Sequence, residues 1–448
     1  MKRSIGIRTR VIAAALACMA GVGGPAVAPV RGQSLAYEDV IAKLRAVDPR
    51  ARLDALGLLR DAGYIDAVMP VAALLTDPAP EVQVAAIETE VSLFLVDEAY
   101  TRTVGRDVVK IKDASLPLLA FAQGPGALVG NPAPRTLMNG LVAAIGSTDP
   151  RVRFDAMYAV GALGVPLVGR GQFPDPRTAV ARLLGALKDP DAAERAAATH
   201  VLGRLFEAAV RDPRLNTDIL GLRGDVGDQL VAAMNDTDQA VRLSAINAIG
   251  QIRYERAIRS LVDFCGYYKR DLLGLAALDA LAHIAHPSSA GQFATAFDVN
   301  DEEVRRISLE GMARIGDKAA LAGLVARASS DRSQVVRLAV AFARARAGDF
   351  SELEVIVEGF KNRELRTATF NYLVELGPTV APSLGGATGQ RDVKIRAGLA
   401  EVLGVIGNSS TLATLELLGR DRDKTVATAA QRSQRRLTIR PPGTPRLP

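Results

Sequence analysis

DEEVRRISLEGMARIGD, from Asp301 to Asp317, reads as one helix with both ends marked. Asp301 is placed to accept a bond from an orphan N–H of the first turn, and Glu302 and Glu303 suit the positive end of the helix dipole. Val304, Ser308, Gly311, Met312 and Ile315 recur at helical spacing and define a packed side. Gly316 supplies a stop that tolerates a left-handed backbone. The same sentence returns at Asp149 (DPRVRFDAMYAVGALG), Asp236 (DTDQAVRLSAINAIGQI) and Arg391 (RDVKIRAGLAEVLGVIG).

Numbering the first apolar position of each copy as zero places it at Ala51, Val82, Val152, Glu194, Val241, Leu273, Val304, Val336, Leu365, Ile395 and Val426. The last seven are spaced 32, 31, 32, 29, 30 and 31 residues apart. Repetition at that period specifies a solenoid of stacked units and not one central core. At −3 stands a capping side chain: Asp48, Asp149, Asp191, Asp238, Asp301, Ser333, Asn362, Asp392 or Asp423. At +1 stands arginine in most copies, among them Arg52, Arg153, Arg195, Arg242, Arg305, Arg337 and Arg396. Two readings fit this row: an Asp–Arg ladder tying neighbouring turns together, or an anion-binding strip. Glycine recurs at +12 (Gly164, Gly316, Gly348, Gly377, Gly407), and a second helical segment begins beyond it. Each unit is therefore expected to be a pair of antiparallel helices, giving an all-α solenoid.

The capped helix is apolar at 0, +4, +7, +8 and +11 and often at +2 and +5, so neighbours must bury it on several sides. A narrow stripe at +6, +10 and +13 stays polar and is expected to line the inner wall of the superhelix. It supplies the candidate binding residues Asn247, Asp279, Glu310, Arg314, Phe342, Arg346, Asn371 and Glu401. Position +6 changes from copy to copy while the frame stays fixed. Phe342 beside Arg346 is its one large apolar member, read either as a binding anchor or as an ordinary exposed phenylalanine.

The pattern D-x-x-V-R-x-x-A-x-x-A-L-G-x-L-G, legible from Asp149 to Gly164 and again from Asp238 to Ile252, resembles the HEAT repeats, in particular the short HEAT-like repeats of phycobilisome lyases. The resemblance covers about three quarters of the chain past its leader. It implies an α-solenoid with the capped helix on the concave side. It says little about activity, because the repeat hosts scaffolds, adaptors and some enzymes.

Residues 1–28 read as an export signal: Lys2, Arg3, Arg8 and Arg10 precede an apolar run from Val11 to Gly24, and Ala26-Val27-Ala28 offers a cleavage site before Pro29. The alternatives are an uncleaved anchor or lipidation at Cys18. The whole chain carries 55 Lys+Arg and 49 Asp+Glu; removing the four basic leader residues leaves 51 − 49 = +2, which weighs against nucleic-acid binding. Only Cys265 then remains, so no intramolecular disulfide can form, and no later stretch can span a membrane. Aromatics make up only 4% of the chain and tryptophan is absent, so small aliphatic residues must do the packing.

Residues 36–235 form an irregular array and 236–437 a regular one, with a proline-rich tail at 438–448. Phe121–Thr136 and Val165–Pro176 are expected to be inserted loops, and Arg211–Gly227 stretches one spacing to 47. Asp279, His283 and His286 share one helical face, a conceivable metal site or simply a solvated stripe. HEAT-repeat metal oxygenases use repeated His-Glu pairs, and none occurs here. There is also no phosphate-cradling GxxxxGK[ST] and no GxSxG elbow. Cys265, in LVDFCGYYKR, reads as a small packed hydrophobe. The expected function is an exported, periplasmic or secreted, non-catalytic scaffold without cofactor or metal. It would bind a protein or peptide on its concave face. A chromophore-lyase-like or other enzyme and a nucleic-acid-binding solenoid are the alternatives.

Overall fold

The structure is a computed structural model that describes residues 37–95, 115–124, 128, 132–269 and 271–438. The export signal, the cleavage site, Cys18 and the tail beyond Thr438 lie outside the described residues. Among the described residues the regular elements are all helices, joined by turns and short loops, with one isolated bridge between Leu95 and Leu128. No described helix is long and apolar enough to cross a membrane.

The capped helices are α1 (Pro49–Ala62), α2 (Pro80–Leu93), then, after a short inserted helix α3 (Leu116–Gln123), α4 (Pro150–Val168), α5 (Ala192–Arg211) and α6 (Gln239–Gln251). The series continues with α7 (Leu272–Ile284), α8 (Glu302–Ile315), α9 (Gln334–Arg346), α10 (Arg366–Leu376), α11 (Val393–Ile406) and α12 (Lys424–Thr438). Each packs on the next, whereas the shorter helices between them pack mainly on the capped helix of their own unit. The capped row is thus compressed and the other row splayed, so the array curves with the capped helices inside. Close approach is possible because the row is narrow at +9. A Cβ added to Gly250 would stand 2.8 Å from the Ala280 Cα, and one on Gly404 would stand 2.9 Å from the Ser433 Cα.

The caps form as the sequence indicates: Asp48, Asp149, Asp191, Asp238, Asp301 and Asp392 each accept from a backbone N–H two or three residues on. Asn362 departs from the pattern. It accepts from the Glu364 N–H, and α10 starts only at Arg366. At +12 the backbone is left-handed at Gly63 (φ 61°), Gly316 (82°), Gly348 (96°) and Gly377 (73°). It is equally left-handed where glycine is missing, at Arg253 (51°) and Ala285 (56°). Gly164 is no stop, since α4 runs on through Pro166 to Val168, and Gly407 is extended at φ −71°.

The ladder exists, but its carboxylate comes from two residues before the cap. Arg195 donates Nη1 to the carbonyls of Asp189 (2.9 Å) and Pro190 (3.0 Å) at the end of its own approach segment. Its Nε and Nη2 grip both oxygens of Asp236 in the next repeat, at 2.8 and 2.7 Å. Asp236 in turn accepts from the Asp238 N–H. The same rung joins Arg52 to Asp77, Arg305 to Asp331 and Arg396 to Asp421. Position −5 thus pairs across the joint, while the −3 aspartate is occupied with its own helix. Glu194, at an apolar position, belongs to a rung as well: both its oxygens take Arg153, beside Asp189. At Arg52, Arg153, Arg195, Arg305 and Arg396 the +1 arginine is therefore a structural rung, whereas Arg242 and Arg337 donate to carbonyls of their own approach segments and reach no carboxylate among the described residues.

The insertions also differ from expectation. Phe121–Gln123 belongs to α3, and Arg135 and Thr136 open the helix Arg135–Ala144, while residues 125–127 and 129–131 of the expected loop lie outside the described residues. The second loop begins only after Val168, and its Phe173 ring folds onto Gly164. The long spacing at 211–227 arises because α5 reaches Arg211 and a short helix, Thr217–Leu220, intervenes.

Candidate functional site: the inner groove

The +6 and +10 side chains of α6 to α10 converge because the array curves strongly. Arg314 on α8 reaches past α9 to Glu375 on α10, its Nε 3.0 Å from Oε1 and its Nη2 2.9 Å from Oε2. This geometry overturns part of the expected site. Phe342, between those helices, is fully buried: its ring stacks on Tyr372 with centroids 4.2 Å apart and planes at 16°, and the Arg314 guanidinium lies 5.7 Å from its centroid. It is a spacer under a clasp and not an exposed anchor. Glu310 is also buried, only 2% exposed, because Arg306, Arg314 and the Tyr372 hydroxyl all donate to its carboxylate.

Asn247, Arg346 and Asn371 remain exposed, and Asp279, Arg314 and Glu401 are half-buried. Glu401 lies 3.5 Å from Arg366. Asp279 Oδ2 stands 3.4 Å from His283 Nδ1. Burial opposes the Asp279 carboxylate, but His283, Arg306 and Arg314 outweigh it and hold its pKa down at about 2. Burial likewise opposes the His283 imidazolium, and the Asp279 carboxylate overcomes it and raises that pKa.

The +13 positions do not join the wall. Once the chain reverses at +12, Asp317 caps the following helix, His286 caps the next turn through Nδ1 at 3.2 Å from the Ser288 N–H, and Tyr254 turns outward to Asp228. Asp279, His283 and His286 therefore do not converge, and among the described residues no group of three or more His, Cys, Asp or Glu is arranged to hold a metal ion. Cys265 is half-buried, its thiol 3.7 Å from the Gly274 carbonyl, and burial pushes it up to about 12. It packs as a hydrophobe.

One wall residue escaped the sequence reading. Arg253 extends from the left-handed +12 position after α6, exposed, with Glu375, Arg314, Arg346 and Arg211 as the charged groups that act on it. The signal for it was present in the sequence: an arginine standing where most copies have glycine.

Residues 270–343, spanning α7, α8 and most of α9, match the family of HEAT repeats. No curated protein matches the chain. Among solved structures, an engineered protein is similar over 90% of this chain and 98% of its own, at 16% identity and a TM-score of 0.42. A second engineered protein is similar over 63% of this chain and 97% of its own, at 16% identity and a TM-score of 0.35. Residues 270–343 are thus similar to HEAT repeats, and capped helices of the same kind recur on both sides of that segment in an all-α repeat array.

Proposed function

We propose that this chain is an exported, periplasmic or secreted, non-catalytic scaffold that binds a protein or peptide segment along the inner groove of its superhelix. One observation carries the reading. The joints and cores account for the repeated residues, whereas Asn247, Arg346 and Asn371, at +6 and +10 of the capped helices, are exposed and take part in no rung or clasp described above. The groove mixes signs, with Asp279, Glu375 and Glu401 beside Arg253 and Arg346, which favours a polar protein segment over a nucleic acid. Export is supported by the leader pattern before Pro29, and N-terminal sequencing of exported material tests it.

Affinity isolation from the native envelope tests the binding role. A partner should be retained by the wild-type chain and by Leu417→Ala on the outer row, and lost from Asn247→Trp/Asn371→Trp. Retention by the groove variant together with loss from the outer one would overturn the reading.

A further inference from the structure

We propose that Phe264, Tyr267 and Tyr268, on the outer row, form a docking surface for the proline-rich tail, residues 439–448, of a second copy of this chain. The surface is the C-terminal half of the helix Ile258–Tyr268, which packs on α7. The chain has 12 Phe, 8 Tyr and no Trp, and three of these aromatics fall within residues 264–268. Their rings form a set. Phe264 and Tyr268 have centroids 5.2 Å apart at 45°, and Tyr267 meets Tyr268 edge-on at 4.8 Å and 79°. Phe264 and Tyr268 are half-buried against the core, which holds the set in place, whereas Tyr267 is 80% exposed and Leu272, at the start of α7, 55%. Single exposed apolar residues are ordinary, but rings grouped and held in this way mark a contact surface.

The occupant follows from the tail's sequence. IRPPGTPRLP carries proline at 442, 445 and 448. A polyproline II helix has three residues per turn, so these prolines share one face, and Arg440 and Arg446 share another. Such a segment is ordered in advance by its prolines and docks on aromatic rings. The charges agree. The tail holds two arginines and no acid, while Asp263 and Asp271, on either side of the rings in sequence, are exposed and in no ion pair among the described residues. Arg259 and Lys269 are exposed nearby without holding either acid. Reach requires a second copy. Residues 439–448 span about 31 Å as polyproline II. Five repeat steps separate α7 from α12, where the tail begins, each about 8–10 Å on the inner row and wider on the splayed outer one. One tail and one surface on each copy make a head-to-tail contact that can add further copies. This contact lies outside the inner groove and does not depend on what the groove binds.

Sedimentation velocity of the purified chain, up to about 100 μM to populate contacts of micromolar strength, tests the contact. The weight-average mass should rise with concentration above that of one chain. Tyr267→Ser/Asp263→Lys, which alters exposed residues of the surface, and Pro442→Asp/Pro445→Asp in the tail should each sediment as a single chain throughout, with the wild-type thermal midpoint. Mixed one to one, the two variants should pair, because one keeps its tail and the other its surface. Association should then stop at two chains, since neither free end is intact. A wild-type chain that stays single at every concentration would overturn the proposal, whether its own tail or another protein covers the rings. So would association of the tail variant as strong as the wild type's, or failure of the two variants to pair.

Discussion

Arg314 and Glu375 form a bidentate ion pair across two repeats, from α8 to α10, with Nε–Oε1 at 3.0 Å and Nη2–Oε2 at 2.9 Å. In a one-dimensional array most contacts join nearest neighbours. This pair joins second neighbours, so it reports the curvature and helps to fix it. Phe342 fills the space beneath, and Glu310 anchors the other side of Arg314.

Cutting the clasp should loosen the curve. Arg314→Met leaves Glu310 with two donors and Glu375 with none of those seen here. Removing one partner of a buried pair typically costs about 3–5 kcal/mol, less where the other is partly solvated, as Glu375 is at 30% side-chain exposure. The expected outcome is a loss of roughly 2 kcal/mol in stability and a larger radius of gyration by small-angle scattering. An unchanged radius would show that packing alone sets the curve.

The rung at Arg195 should tolerate no other cation. Lysine cannot reach two carbonyls and a carboxylate at once, because it lacks the planar fork. Arg195→Lys should therefore destabilise by about 1–3 kcal/mol, close to Arg195→Ala, in chemical denaturation. Hydrogen exchange should rise first at the joint between α5 and α6.

Glu90 sits at +8 of α2, where neighbouring copies carry Val160, Leu202 and Ile249. It is fully buried, neither oxygen has a hydrogen-bond partner among the described residues, and burial raises its pKa to about 9. The folded value lies above the unfolded one, so the folded state holds a proton that the unfolded state gives up. The stabilisation is complete below the unfolded value of 4.5 and is lost progressively as pH rises toward about 9. Glu90→Leu should restore the apolar pattern, raise stability at pH 8 by about 1–3 kcal/mol and flatten this dependence. Thermal melts across that range read it directly.

The frame was legible because its signals are local. Asp301 and Gly316 mark the two ends of one helix, and the structure places both as caps. The rungs were legible only in kind. Asp236 lies 41 residues from Arg195, and helical periodicity carries no information about which turn of the next unit faces back. The burial of Phe342 and Glu310 is not legible because a single-helix pattern cannot show Tyr372 stacking on Phe342 from the next unit and reaching Glu310 from two units away. Tyr254, His286 and Asp317 were assigned to that wall by extending helical spacing past +12, where the chain has already reversed. Arg253 is not legible as a wall residue, because a helical pattern ends at the +12 reversal and cannot show that Glu375 and Arg346, from distant units, act on the side chain there.

Site-specific photo-crosslinking in the native envelope tests the central claim most directly. A benzophenone side chain replaces Asn247 or Asn371 on the inner wall, or Tyr267 or Leu417 on the outer row, all four exposed. Binding in the groove predicts a common adduct from positions 247 and 371 that is absent from 267 and 417. An adduct formed only from the outer positions would contradict it.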